Sequence, residues 1–119
     1  MSFKSVLADV GRRIEGVLGV AVIGDDGIIV ERCATDPDFD SELASLEYVA
    51  SCRELKRASE SLDSGALEEV TIVTEKTAAL LRTISPGYFI ILLMRPGQSL
   101  GRGRYEIKRA SYELAPEFL

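Results

Sequence analysis

Residues 17–33 read VLGVAVIGDDGIIVERC, and the fold turns on whether this glycine-containing run holds a phosphate or only turns the chain. A phosphate loop needs backbone N–H groups converging on an anion, followed directly by a helix whose N-terminus adds its dipole. Gly27 is succeeded by Ile28, Ile29 and Val30. Such β-branched side chains lose rotamer freedom in a helix and pack well on a pleated sheet. Neither G-x-G-x-x-G nor G-x-x-x-x-G-K-[ST] occurs in the run, and no lysine lies within or just after it. Asp25-Asp26-Gly27 between two apolar runs predicts a hairpin instead, because Asp-Gly tolerates positive φ at a turn centre.

The flanking sequence extends this reading. Phe3, Val6, Leu7, Val10 and Ile14 recur at helical spacing, with Ser2 as N-cap and Gly16 as terminator. Val17 to Ile23 then reads as a strand buried on both faces, and Ile28 to Cys33 as its partner. The next segment, ATDPDFD, resembles the start of a calcium loop, with Asp36, Asp38 and Asp40 alternating and Glu47 at the twelfth position. Ser41 stands where that loop needs glycine, and a strand precedes it, so the acids are expected to cap the following helix.

That helix is predicted over Ser41 to Asp63, with Gly65 as its C-cap. At 100° per residue, Ala44, Tyr48, Cys52, Leu55, Ala58 and Leu62 form a face for packing on a sheet. Leu43, Leu46, Val49 and Ala50 form a second apolar patch opposite. One helix on one sheet has no use for two such faces, so the patch is covered by another protein surface or by another helix of the same chain. Three strands come next, in LEEVTIVTEK, TAALLRTIS and GYFIILLMR, separated by turns at Glu75-Lys76 and Ser85-Pro86-Gly87. Val70, Thr71, Ile72, Val73 and Thr74 give two moderately apolar faces, as on an edge strand able to pair with a second chain. Phe89 to Met94 is apolar throughout and belongs at the sheet centre. Ser99 can cap a last helix in which Leu100, Gly103, Ile107, Ala110, Ser111 and Leu114 share a face before Pro116. The order α-β-β-α-β-β-β-α describes an α+β domain spanning residues 1–119 without a linker.

Composition narrows the function. A net charge of −5 over 119 residues argues against a nucleic-acid partner, which calls for a basic surface. Arg95, Arg102, Arg104, Lys108 and Arg109 cluster near the C-terminus and are expected to form a solvated helix face. The apolar run Tyr88–Met94 is far short of the ~20 residues that span a bilayer, and Asp9, Arg12 and Arg13 interrupt any leader-like segment. A soluble cytoplasmic protein is expected, with Cys33 and Cys52 as buried free thiols. Histidine is absent, which removes the usual base for a serine or cysteine nucleophile. Two distant cysteines do not begin a zinc site. Glu68 and Glu69, on opposite faces of a strand, read as solvated residues at its start. No catalytic residue, cofactor or metal is expected, and the chain reads as non-enzymatic.

The initial helix, GVLGVAVIGDDGIIVE, the long helix, VTIVTEKTAALLRTISPGYFIILLM and SLGRGRYEIKRASYEL together resemble, in that order, the Roadblock / dynein light chain family, especially its bacterial members. The resemblance covers about Val6 to Leu114 and rests most on the glycine-bounded hairpin and the Leu100-Gly101 pair. It implies a Roadblock-like, profilin-like sandwich, in which a five-stranded antiparallel sheet carries the long helix on one face and the two terminal helices on the other. It also implies homodimers or heterodimers in which the central helices pack together and the third strands join the sheets. On this chain those positions are Leu43, Leu46, Val49, Ala50 and Arg53, and the strand Val70 to Thr74. The implied function is a regulator or scaffold that binds a small Ras-like GTPase, with GTPase activation among the roles known in bacterial relatives. The alternatives are a structural adaptor in a motor or cytoskeletal assembly, and a small-molecule sensor.

Overall fold

The Asp-Gly stretch is a hairpin turn. In a computed structural model of the chain, describing residues 2–97 and 100–118, strand β1 (Val17–Gly24) pairs antiparallel with β2 (Ile29–Ala34). Gly27 between them has φ of +85°, and the Asp26 carboxylate accepts the Ile28 N–H at 3.0 Å. Helix α1 (Phe3–Arg13) precedes this hairpin, and α2 (Ser41–Ser61) comes after it. The chain then continues through β3 (Glu69–Val73), β4 (Ala78–Ser85), β5 (Tyr88–Met94) and α3 (Leu100–Leu114). Its last described residues form a short 3-10 turn, Ala115–Phe118.

All five strands join one antiparallel sheet in the order β2-β1-β5-β4-β3. The wholly apolar β5 lies at its centre and β3 at an edge, as the hydropathy of each strand predicts. Side chains alternate across the sheet, and here both faces are covered. Val20, Val22, Leu80, Ile90 and Leu92 pack against Leu7 and Val10 of α1 and Ile107 and Leu114 of α3. Ala21, Ile23, Leu81, Ile91 and Leu93 pack against Val49 and Cys52 of α2. This is the α+β sandwich that the family resemblance implies.

The terminal helices obey their sequence patterns closely. Val6, Leu7 and Val10 of α1 are buried, and the Ser2 hydroxyl accepts the Ser5 N–H at 3.1 Å as an N-cap. Gly103, Ile107, Ala110, Ser111 and Leu114 of α3 are buried on the expected face, and the α-helix ends before Pro116. Ser99, read as the cap of this helix, lies outside the described residues.

Helix α2 differs from its expected reading in two respects. Its buried stripe is Ser41, Ser45, Val49 and Cys52, rolled by less than one residue step (about 100°) from the face inferred from hydropathy, with which it shares Cys52. Leu55 and Leu62, expected on the sheet, are 44% and 75% exposed. The cause is at Gly19: a β-bulge at Leu18 breaks the β1–β5 register, and a Cβ on Gly19 would lie 2.6 Å from the Ser41 Cβ. Only small residues permit that approach, so two serines face the sheet where hydropathy calls for leucines.

The end of α2 is also set differently. Gly65 is not its cap; Asp63, at φ +54°, takes the left-handed position. The Ser64 N–H donates to the Ser59 carbonyl at 2.9 Å and the Asp63 N–H to that of Glu60 at 3.1 Å, the paired bonds of a Schellman motif. A side chain in that conformation costs roughly 1–2 kcal/mol, less for Asp than for most residues. Asp63→Gly is therefore expected to raise stability by about 1 kcal/mol, readable by urea denaturation; an unchanged or lowered midpoint would refute the account.

Candidate protein-interaction surface

The α2 residues expected to meet a partner fall into three sets. Val49 is 1% exposed and belongs to the core between α2 and the sheet, which corrects its assignment to an outward patch. Leu46 and Arg53 lean towards the β1–β2 hairpin. The Leu46 Cδ2 approaches Gly27, and the Arg53 Nε donates to the Asp25 carbonyl at 2.8 Å. Leu43 and Ala50 point outward, Leu43 being 54% exposed.

A different flank of α2 faces the β3 side of the sheet. Ala44 and Tyr48 pack at the edge of the α2-side core, as do Val70 and Ile72 of β3. Ala44 and Tyr48 also share a shallow depression with Thr77, in the β3–β4 connection. Leu55 and Leu62 continue the line of Tyr48 at seven-residue intervals, nearly the same direction on a helix. Both leave much of their side chain in solvent. Along β3, Val70 and Ile72 are half-buried, while Thr71 and Val73 are exposed, Val73 at 59%; Thr74 lies just past the strand. An open strand edge and an apolar helix flank thus lie side by side. Hydropathy alone places Leu55 and Leu62 in the core; the signal that assigns them elsewhere is the small-residue stripe of Ser41, Ser45 and Gly19.

The acidic and basic residues have specific partners. Asp40 caps α2, its carboxylate accepting the Leu43 N–H at 2.9 Å, the structural role expected of the ATDPDFD run. The Asp36 carboxyl is held below its usual range by the Asp38 N–H and then by Arg95, each at 2.9 Å. Glu69 is not solvated: it is half-buried between Arg82 at 3.4 Å and Arg104 at 2.6 Å. Glu106 is 1% exposed, a burial that periodicity did not assign. Its carboxylate meets Arg109 at 3.0 Å, Arg102 at 3.3 Å and Arg13 at 3.8 Å, tying α3 to α1. Hydrogen bonding to Glu106 raises the Arg109 pKa further. Four arginines of the C-terminal basic cluster, Arg95, Arg102, Arg104 and Arg109, thus form ion pairs, while Lys108 is exposed and the heads of Arg95, Arg102 and Arg104 stay in solvent. Cys52 is buried and its thiol is pushed up by desolvation, whereas Cys33 is only half-buried.

The Roadblock/LC7 domain from Streptomyces avermitilis superposes at a TM-score of 0.86 over 99% of this chain and 98% of that one, at 14% identity. MglC from Myxococcus xanthus is 33% identical over 98% of this chain and 99% of that one, at a TM-score of 0.72. This chain belongs to the Roadblock/LC7 family. A third neighbour, the gliding protein MglB from Thermus thermophilus, aligns at a TM-score of 0.84 over 95% of this chain and 85% of its own, with 16% identity. At such identities the Streptomyces and Thermus likenesses speak for the fold; the MglC likeness carries the family assignment. No family model matches the sequence, and no curated protein does. Among the described residues of this Roadblock/LC7 chain, no helix is long and apolar enough to cross a membrane.

Proposed function

We propose that this Roadblock/LC7 chain is a non-enzymatic, homodimeric regulator or scaffold for a small Ras-like GTPase. The observation that carries the reading is the 33% identity to MglC across essentially the whole of both chains. Family resemblance supplies the GTPase as the class of partner.

The proposed dimer joins two copies along β3. Val73 is exposed at that edge, and an unpaired strand edge is a template for a second strand. A two-fold axis beside β3 brings the partner's α2 to the flank bearing Tyr48, Leu55 and Leu62. Leu43, in the same depression as Tyr48, sits on the outer margin of this contact, while Leu46 and Arg53, on the hairpin side, are left clear of it.

The regulator reading is tested by passing the protein over a sizing column with a candidate bacterial Ras-like GTPase loaded with GTP or with GDP. Co-elution with one nucleotide state is expected. Co-elution with neither state across the Ras-like GTPases of the source cell would favour the structural-adaptor alternative.

A further inference from the structure

The geometry points to a binding cleft for an arginine side chain of a partner protein, at the end of the sheet where β4 turns into β5. The cleft holds about 400 Å³, within the range of sites that take small ligands or anchor side chains. Its apolar floor comes from Leu67, Ile84, Pro86 and Phe89, and Tyr112 of α3 adds an aromatic wall.

Charge selects the occupant. The two cations lining the cleft are already engaged, Lys56 with Asp25 at 4.0 Å and Arg82 with Glu69 at 3.4 Å. Glu60, on the last turn of α2, and Glu68, just before β3, also line it, and their carboxylates have no ion-pair partner among the described residues. An apolar floor with two carboxylates outside any ion pair at its rim suits a side chain with a hydrocarbon stem and a cationic head. Arginine meets this demand better than lysine, because its planar guanidinium pairs with carboxylates through several N–H groups and stacks on an aromatic ring such as Tyr112. The stem lies along the floor while the head stays at the wet rim. A neutral donor gains only a hydrogen bond from Glu60 or Glu68, without the charge attraction, and an acidic group is repelled.

This inference does not rest on the GTPase reading, since the cleft is complete within one chain. Its test titrates the 15N-labelled protein with N-acetyl-Leu-Arg-Leu-amide, and separately with the same peptide carrying neutral citrulline for arginine. Saturable shifts at the Leu67, Ile84 and Gly87 amides are expected with the arginine peptide, and binding roughly tenfold or more weaker with citrulline. The variant carrying Glu60→Gln and Glu68→Gln should lose the preference for arginine while the rest of its spectrum is unchanged, because both side chains are exposed. Equal binding of the two peptides, shifts away from the cleft, or no shifts at millimolar peptide would overturn the proposal. Concentration-dependent shifts of the same amides without peptide would assign the cleft to a second copy of the chain and overturn it equally.

Discussion

Gly19→Ala is expected to destabilise the protein by about 2 kcal/mol, against the usual direction for this substitution within a strand. Replacing a strand glycine by alanine normally gains roughly 0.5–1 kcal/mol of chain entropy. At this position the new Cβ meets the Ser41 Cβ at 2.6 Å and its Oγ at 3.0 Å. The obstructing Cβ is fixed to the helix backbone and cannot swing aside, so the start of α2 must shift away from β1. Such overpacking typically costs roughly 1–3 kcal/mol and outweighs the entropic gain. The second mutation Ser41→Gly removes the opposing atoms, and the double variant is expected to recover part of the loss in a denaturation cycle. A Gly19→Ala protein as stable as the parent would show that the helix does not rest on the sheet here.

The other large effect concerns assembly. Leu55→Glu combined with Leu62→Glu should convert the proposed dimer to monomer without unfolding the chain, because both side chains already face solvent within one copy. Burying an unpaired carboxylate in an apolar contact costs several kcal/mol, so the dissociation constant is expected to rise by roughly a hundredfold or more. Sedimentation equilibrium reads this directly. Leu46→Glu, on the hairpin side of α2, should leave the association unchanged. A double variant that sediments like the parent, or a Leu46→Glu protein that falls apart alone, would move the contact to the other flank of the helix.

Both effects arise on α2, where hydropathy was a poor guide. The periodicity of α1 and α3 led directly to their buried faces, because in each the residues that recur at helical spacing are the ones that meet the sheet. In α2 the leucines drew the inferred face away from Ser41 and Ser45. Closeness of approach at Gly19, rather than side-chain apolarity, sets the rotation of that helix. A serine can be buried there because its small volume permits contact and, for Ser45, because its hydroxyl donates to the Ser41 carbonyl at 2.7 Å. Glu106 was hidden for a related reason: its neighbours Arg102 and Arg109 are visible in the sequence, but Arg13 reaches it only because α1 packs beside α3.

The linear chain determined what was local and periodic: the Asp-Gly hairpin, the identity and order of the strands, the central place of the apolar β5, and the buried faces of the terminal helices. These come from turn chemistry and from side-chain period, which act over a few residues at a time. Only the tertiary structure decided which way α2 rolls on the sheet, which leucines it leaves in water, that Glu106 is enclosed by arginines, and that Glu60 and Glu68 border one cleft. Each of these depends on contacts between segments far apart in sequence, and distance in space is a quantity that composition and periodicity do not carry.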